Sequence, residues 1–288
     1  KTIARSRKAG MQVLLDFHYS DDWADGEKQL IPKAWEGSID DVDALAEKVY
    51  EFTYRTLLEL NAAGLMPELV QVGNEINHEI LSTRERAQQP INWTRNAKLL
   101  NAGIRAVRAA GKNTTIKPRV MLHIAQPENV EPWFAAATDA GVTDYDLIGI
   151  SYYRRWSSEP PAGLYSVIDR LRHRYDADVL VVEAAYPWTL EAAADSMSNL
   201  LGKDTLVEGY PPTKAGQREY LIDMTQQIIA HGGVGLVYWE PAWISTSCKT
   251  RWGTGSAWEN AALFDFEGEL LPGADFFGFP YRYPIDAK

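Results

Sequence analysis

The alternation of strand-like and helix-like segments constrains this 288-residue chain more than any other feature. Gln12 to Tyr19 is a continuous apolar run that ends in polar residues. Ile39 to Ala63 follows, with Ile39, Val42, Leu45, Ala46, Val49 and Phe52 at helical spacing, which predicts an amphipathic helix. The pattern then repeats. Strands are expected at Leu69–Gly73, Arg119–Ile124, Asp146–Ser151, Val179–Glu183 and Val234–Trp239. Helices are expected between them at Thr94–Ala110, Asn129–Ala140, Gly163–Tyr175 and Lys214–Ala230, several stopped by a glycine. Repeated βα units with apolar strands predict an α/β fold on a parallel sheet buried on both faces. No repeat, low-complexity tract or linker interrupts it, so residues 1–288 read as a single domain.

Six such strands could form an open doubly wound sheet or part of a closed barrel. No glycine-rich phosphate turn follows the first strand. Polar, aromatic and acidic residues instead recur at the C-terminal ends of successive strands, where barrel enzymes carry their chemistry. The expectation is a (β/α)8 TIM barrel. Lys1 to Gly10 reads as the tail of a helix ending at a glycine, so the first two βα units are expected to be absent from the sequence.

The formal net charge of −10 argues against nucleic acid or an anionic membrane as partner, because both call for basic patches. A neutral substrate fits better. Ten tryptophans and fourteen tyrosines supply flat faces on which the C–H side of a sugar ring can stack, although tryptophan is also commonly buried. Cys248 is the sole cysteine, which rules out an intramolecular disulfide. No apolar run reaches the length of a membrane span, and no signal-peptide pattern opens the sequence.

The strand ends carry large or ionisable side chains rather than ordinary turn formers. They read Asp16-Phe17-His18-Tyr19-Ser20-Asp21-Asp22-Trp23, then Asn74-Glu75, His123, Ser151-Tyr152-Tyr153, Glu183-Ala184-Ala185-Tyr186 and Tyr238-Trp239-Glu240. Glu75 and Glu183 each end an apolar strand. Hydrolysis of a glycosidic bond needs two carboxyl groups: one protonates the leaving oxygen while the other attacks or activates water. Asn74 is placed to bond a sugar hydroxyl beside the bond being cleaved. Trp239 can floor the sugar, and Tyr153 or Tyr152 can donate to the nucleophile and hold it ionised. Trp23, Trp35, Tyr186, Trp188, Trp243 and Trp252 fall in strand-to-helix loops, where they could form subsites along a groove. His18 and His123, with Asp16, Asp21 and Asp22 nearby, invite a metal reading. They lack a His-x-x-x-His pair or an obvious third ligand, so hydroxyl binding is preferred and no metal or cofactor is expected.

Four segments together resemble family 53 of the glycoside hydrolases, the endo-β-1,4-galactanases that act on arabinogalactan. They are Asp16-Phe-His-Tyr-Ser-Asp-Asp-Trp-Ala-Asp25, Gln71-Val-Gly-Asn-Glu-Ile76, Val181-Val-Glu-Ala-Ala-Tyr-Pro-Trp188 and Gly235-Leu-Val-Tyr-Trp-Glu-Pro-Ala-Trp243. The stretch from Trp258 to Asp265 is similar as well. The resemblance implies Glu75 as general acid/base and Glu183 as nucleophile of a retaining mechanism. It places Asn74, His18, Tyr153 and Trp239 around the scissile bond. Asp16, Trp23, His123, Tyr186 and Trp243 complete the expected sugar contacts. The family barrel has two strands before the one ending at Asp16-Phe-His-Tyr, and an active-site arginine from that region has no counterpart here. Some bacterial members bind calcium after the nucleophile strand. In Thr189–Asn199 only Asp195, Ser196, Ser198 and Asn199 offer scattered oxygens, so no structural calcium is expected there. A β-mannanase, a cellulase or a non-catalytic carbohydrate-binding protein are the competing readings. A β-1,4-galactan polymer cannot enter a cytoplasm, so a secreted, periplasmic or surface-bound monomer with no required protein partner is expected.

Overall fold

The computed structural model describes residues 1–86, 89–193 and 197–284. Six strands, β1 (Leu14–Phe17), β2 (Leu69–Val72), β3 (Arg119–Ala125), β4 (Leu147–Ser151), β5 (Asp178–Ala184) and β6 (Leu236–Tyr238), form one sheet in chain order. The pairings β1–β2, β2–β3 and β5–β6 are parallel. Helices fill the intervals: α1 (Thr2–Lys8) before β1, then α2 (Val42–Ala62), α3 (Trp93–Gly111), α4 (Pro127–Asp139), α5 (Pro161–Arg174) and α6 (Lys214–Ala230). This is the α/β class that the alternation predicts, with the expected strands and helices present and their ends shifted by up to three residues. A small hairpin, β7 (Lys249–Thr250) with β8 (Gly253–Thr254), was not anticipated.

The chain packs as two compact sets of residues, the first being Lys1–Ala125, Asn129–Gly149 and Asp176–Asp178. In this set β1 to β3 and helices α2 and α3 surround a core that includes Leu45, Val49, Leu57, Leu99, Leu100 and Val107, all fully buried. Asp41 caps α2 by accepting from the Ala44 N–H, and Asn92 caps α3 by accepting from the Arg95 N–H. Helix α3 approaches β2 so closely at Gly103 that an added Cβ would sit 2.6 Å from Val72. Only glycine permits that approach.

A buried ion pair ties the loop after β2 to the start of α3. Arg95 Nη1 donates to Glu79 Oε1 at 3.0 Å and to the Ile80 carbonyl at 2.9 Å, while Nη2 donates to the Leu81 carbonyl at 2.7 Å. The other Glu79 oxygen accepts from the N–H of Asn92, the capping residue. Removing one partner strands a buried charge. Glu79→Ala is therefore expected to lower unfolding stability by about 3–5 kcal/mol in urea titration. A loss below about 1 kcal/mol, the scale of a surface pair, would show that the bridge does not hold this loop.

The second set is Gln126–Glu128, Ile150–Tyr175 and Val179–Lys288. Here β5 and β6 lie side by side, α5 packs on α6, and the 3-10 turn Pro272–Gly278 covers α6. Strand β5 is buried from Val179 onward apart from a half-buried Leu180, as a parallel strand flanked by helices is, whereas in β6 only Tyr238 is buried and Val237 is exposed. Among the described residues no helix is long and apolar enough to cross a membrane.

Candidate active site

The residues beyond the strand ends adopt unusual backbone. Tyr19, Glu75, Gln126 and Glu240 follow β1, β2, β3 and β6 with φ values of 52°, 45°, 60° and 53°. Non-glycine residues pay roughly 1–2 kcal/mol for the left-handed region, and such strain gathers at functional sites. At β2 the turn is made by Gly73, at φ 85°, where a Cβ would clash with Ile76 at 2.4 Å. The turn lets Asn74 and Glu75 leave the strand in different directions.

Asn74 and Glu75 are held from several sides. The Gln29 Nε2 group lies 2.8 Å from the Asn74 carbonyl and 3.0 Å from the Glu75 carbonyl. Asn74 Nδ2 donates to the Ala24 carbonyl at 2.9 Å, and its Oδ1 accepts from Gln71 Nε2 at 3.1 Å. The Gly26 N–H donates to Glu75 Oε2 at 3.0 Å. His123, wholly buried, lies with Nδ1 3.3 Å from the Glu75 amide nitrogen, and the His123 carbonyl accepts from Ile76 N–H at 2.8 Å. The histidine expected to bind a sugar hydroxyl is thus wholly buried against the Asn74–Glu75 turn.

Burial drives the His123 pKa down to about 3, with the neighbouring His18 acting in the same direction. The imidazole is neutral at every working pH. The folded pKa lies below the unfolded value near 6.5, so the unfolded chain binds the extra proton between them. Stability from this residue is complete above about pH 6.5 and is lost as pH falls toward 3. The loss is on the order of 4 kcal/mol, at 1.36 kcal/mol per unit. Urea titrations at pH 7 and pH 4 should show that His123→Asn flattens this dependence. An unchanged pH slope in the variant would remove His123 as its source.

His18 has both ring nitrogens engaged, Nδ1 accepting from the Ala24 N–H at 3.0 Å and Nε2 lying 3.1 Å from Asp16 Oδ2. Burial raises the Asp16 pKa against the lowering pull of His18. Trp23 stands edge-on to the His18 ring at 5.7 Å. Asp21 accepts from the Lys33 N–H at 2.8 Å and Asp22 meets Lys28 at 3.4 Å, so these carboxylates shape the loop after β1.

In the second set Glu183 is the penultimate residue of β5, with 9% of its surface exposed. The Tyr153 hydroxyl donates to Glu183 Oε2 at 2.9 Å, while the Tyr152 N–H donates to the Glu183 carbonyl. Of the two tyrosines expected as donors, Tyr153 takes the role. Tyr152 is buried and bonds the Glu159 carbonyl. Trp156 and Trp258 flank the Tyr153 ring at 5.2 and 5.6 Å, and Trp258 stands 6.4 Å from Trp239. Three tryptophans therefore cluster beside Tyr153, the tyrosine that bonds Glu183. Trp156 and Trp258 were not anticipated as site residues, although Trp258 opens a segment singled out for its resemblance.

Several expected subsite residues have other work. Tyr186 is 1% exposed, its hydroxyl donates to the Tyr210 carbonyl and accepts from the Val207 N–H, and its ring stacks on Tyr220. It anchors a loop from inside and presents no face to a sugar. Trp188 is likewise buried, with its indole N–H on the Glu259 carbonyl, and Trp35 packs edge-on to Phe52. Trp243 is half-buried and Trp252 exposed. Glu240 has its pKa raised by burial. In the segment considered for calcium, Asp195 and Ser196 lie outside the described residues, and Asn199 Nδ2 donates to the Glu191 carbonyl.

Carboxylic acids at the ends of parallel strands, one set beside an amide and one under clustered tryptophans, are the equipment of a glycoside hydrolase. The family model for glycosyl hydrolase family 53 matches residues 1–277, and the chain belongs to that family. It is 47% identical over 291 residues to the arabinogalactan endo-beta-1,4-galactanase of Cellvibrio japonicus (strain Ueda107), an alignment covering 100% of this chain and 77% of that protein. Against the endo-beta-1,4-galactanase of Bacillus subtilis (strain 168) identity is 33%, over 99% of this chain and 71% of the relative. The solved GH53 catalytic domain of Ignisphaera aggregans superposes with a TM-score of 0.86 at 33% identity, covering 98% of this chain and 77% of that one.

Proposed function

We propose that this enzyme cleaves internal β-1,4-galactosidic bonds of galactan and type I arabinogalactan by double displacement with retention. The observation that carries the reading is the buried Glu183 carboxylate, gripped by the Tyr153 hydroxyl at the edge of a tryptophan cluster. A hydrogen bond to the ionised form holds it charged and orients it for attack on the anomeric carbon. Glu75 protonates the departing oxygen and then, as a carboxylate, draws a proton from the incoming water. Asn74, fixed by Ala24 and Gln71, offers its side chain to a hydroxyl of the sugar being opened. Such contacts strengthen as the ring gains positive charge. Trp239 and Trp258 supply stacking faces, and His18 and Trp23 line the approach from the loop after β1. The substrate is suggested by the galactanases among the relatives and by the tryptophan faces available for stacking a sugar ring.

In this reading the consecutive parallel strands are staves of a (β/α)8 barrel, and residues 1–277, spanned by one family model, act as one catalytic domain. A polymeric substrate calls for an enzyme outside the cytoplasm, and a groove enzyme has no need of a partner, so a secreted, periplasmic or surface-bound monomer is part of the proposal. Reducing-sugar release from galactan, mannan and cellulose tests the proposal. Turnover on galactan alone supports it, while preference for either glucan or mannan transfers the enzyme to another specificity, and binding without release leaves a lectin-like role.

A further inference from the structure

Within the second set of residues, α5, α6, Val207 and Tyr210 line a cavity of about 320 Å3. None of its lining residues belongs to the group around Glu183. Its walls include Tyr165 from α5, Tyr210, and Tyr220, Asp223, Met224 and Gln227 from α6. The Tyr210 hydroxyl donates to Asp223 Oδ2 at 2.9 Å, which fixes the carboxylate's orientation. Tyr210 stands edge-on to Tyr220 at 5.3 Å, and Tyr165 stacks on the His231 ring at 5.7 Å. The cavity therefore combines aromatic surface with an oriented carboxylate acceptor and an amide that both donates and accepts. No lysine or arginine lines it, so it has nothing to hold an anion.

From this arrangement we propose that the cavity is a second carbohydrate-binding site, which holds one or two neutral sugar units of a galactan chain. Rings take the apolar face of a sugar, while Asp223 and Gln227 address adjacent hydroxyls. The volume lies at the lower end of the range in which proteins seat small ligands. The Tyr210 hydroxyl stays protonated, pushed up to about 12 by burial and by Asp223, so its bond to the carboxylate persists and leaves the second Asp223 oxygen to accept from a sugar hydroxyl. The site is bolted to the catalytic strand through Tyr186, which follows Glu183 and bonds both Val207 and Tyr210. A polymer held at two places dissociates from neither as readily as a short chain does from one.

The identity of the sugar rests on the galactanase reading, and the test separates the two. Wild-type protein, Tyr165→Ala and Asp223→Asn are assayed on long galactan and on a soluble aryl β-1,4-galactobioside. Retardation of each in galactan-containing native gels is measured alongside, in a Glu183→Gln background. With the second site removed, KM for the polymer should rise about three- to tenfold and gel retardation should weaken, with kcat/KM on the small substrate unchanged. Asp223 is exposed, so Asp223→Asn keeps the fold if Tyr165→Ala does not. Retardation and polymer KM unaltered in a folded variant overturn the second site while leaving the substrate assignment intact. A wild-type enzyme that releases no sugar from galactan overturns the substrate assignment itself, and the proposed galactan site with it.

Discussion

Replacing Glu183 by glutamine should lower kcat/KM on galactan by on the order of 10^5-fold, about 7 kcal/mol of transition-state stabilisation. The substitution keeps the shape of the side chain and leaves an oxygen for the Tyr153 hydroxyl, now 2.9 Å from Oε2. It removes the negative charge that, in the proposed mechanism, attacks the anomeric carbon. Ground-state affinity should change little, because the proposed sugar contacts are made by the surrounding rings and amides rather than by this charge. Inhibition by a short galacto-oligosaccharide, or gel retardation by galactan, checks that half of the prediction. Glu183→Ala goes further, since it opens a space where the carboxylate stood. Azide supplied to that variant should enter from the vacated side and give a galactosyl azide of inverted, α configuration. Activity within tenfold of wild type in Glu183→Gln, or a β-configured azide from Glu183→Ala, would take the nucleophile's role away from this residue.

What could be read beforehand divides according to whether local or long-range packing decides it. The strand ending at Glu183 is legible because Val179 to Val182 are aliphatic and an acid directly follows. Helix α6 matches its expected bounds of Lys214 and Ala230, since Thr213 caps one end and Gly232 and Gly233 close the other. Tyr186 misled for a definite reason: an aromatic residue after a strand looks the same whether its ring faces a groove or the interior. Its burial depends on Tyr220, 34 positions away and on another element. His123 poses the same difficulty within a strand. Residues Val120 to Ala125 of β3 are buried throughout, so the alternation that tells one face from the other is missing. Gln71, by contrast, carried a signal that was open to use. A single amide inside the apolar run Leu69–Val72 must find buried partners, and it finds Asn74 and His123. Trp156 and Trp258 reach Tyr153 from separate loops, a meeting that neither loop's own sequence encodes.

Glu75 should behave differently from Glu183, and the difference identifies its role. Glu75→Gln is expected to lose about 10^2- to 10^4-fold on galactan, the usual share of a general acid/base. A sugar leaving group is a poor one and needs the proton that Glu75 supplies. An aryl β-galactobioside with an acidic phenol needs far less help, so its first step should be slowed only slightly. The glycosyl-enzyme would then accumulate, because water lacks its base, and a burst of phenol followed by slow turnover should appear. Azide needs no base. It should restore turnover on the aryl substrate and yield a β-configured azide, the opposite stereochemistry from the Glu183 variant. The local frame survives this substitution: the Gly26 N–H can still donate to the side-chain oxygen, and Gln29 still holds the Glu75 carbonyl. The left-handed backbone at φ 45° is set by Gly73 and the contact with His123, neither of which is altered. Equal losses on galactan and on the aryl substrate, with no response to azide, would mean that Glu75 positions the sugar and that another group carries the proton.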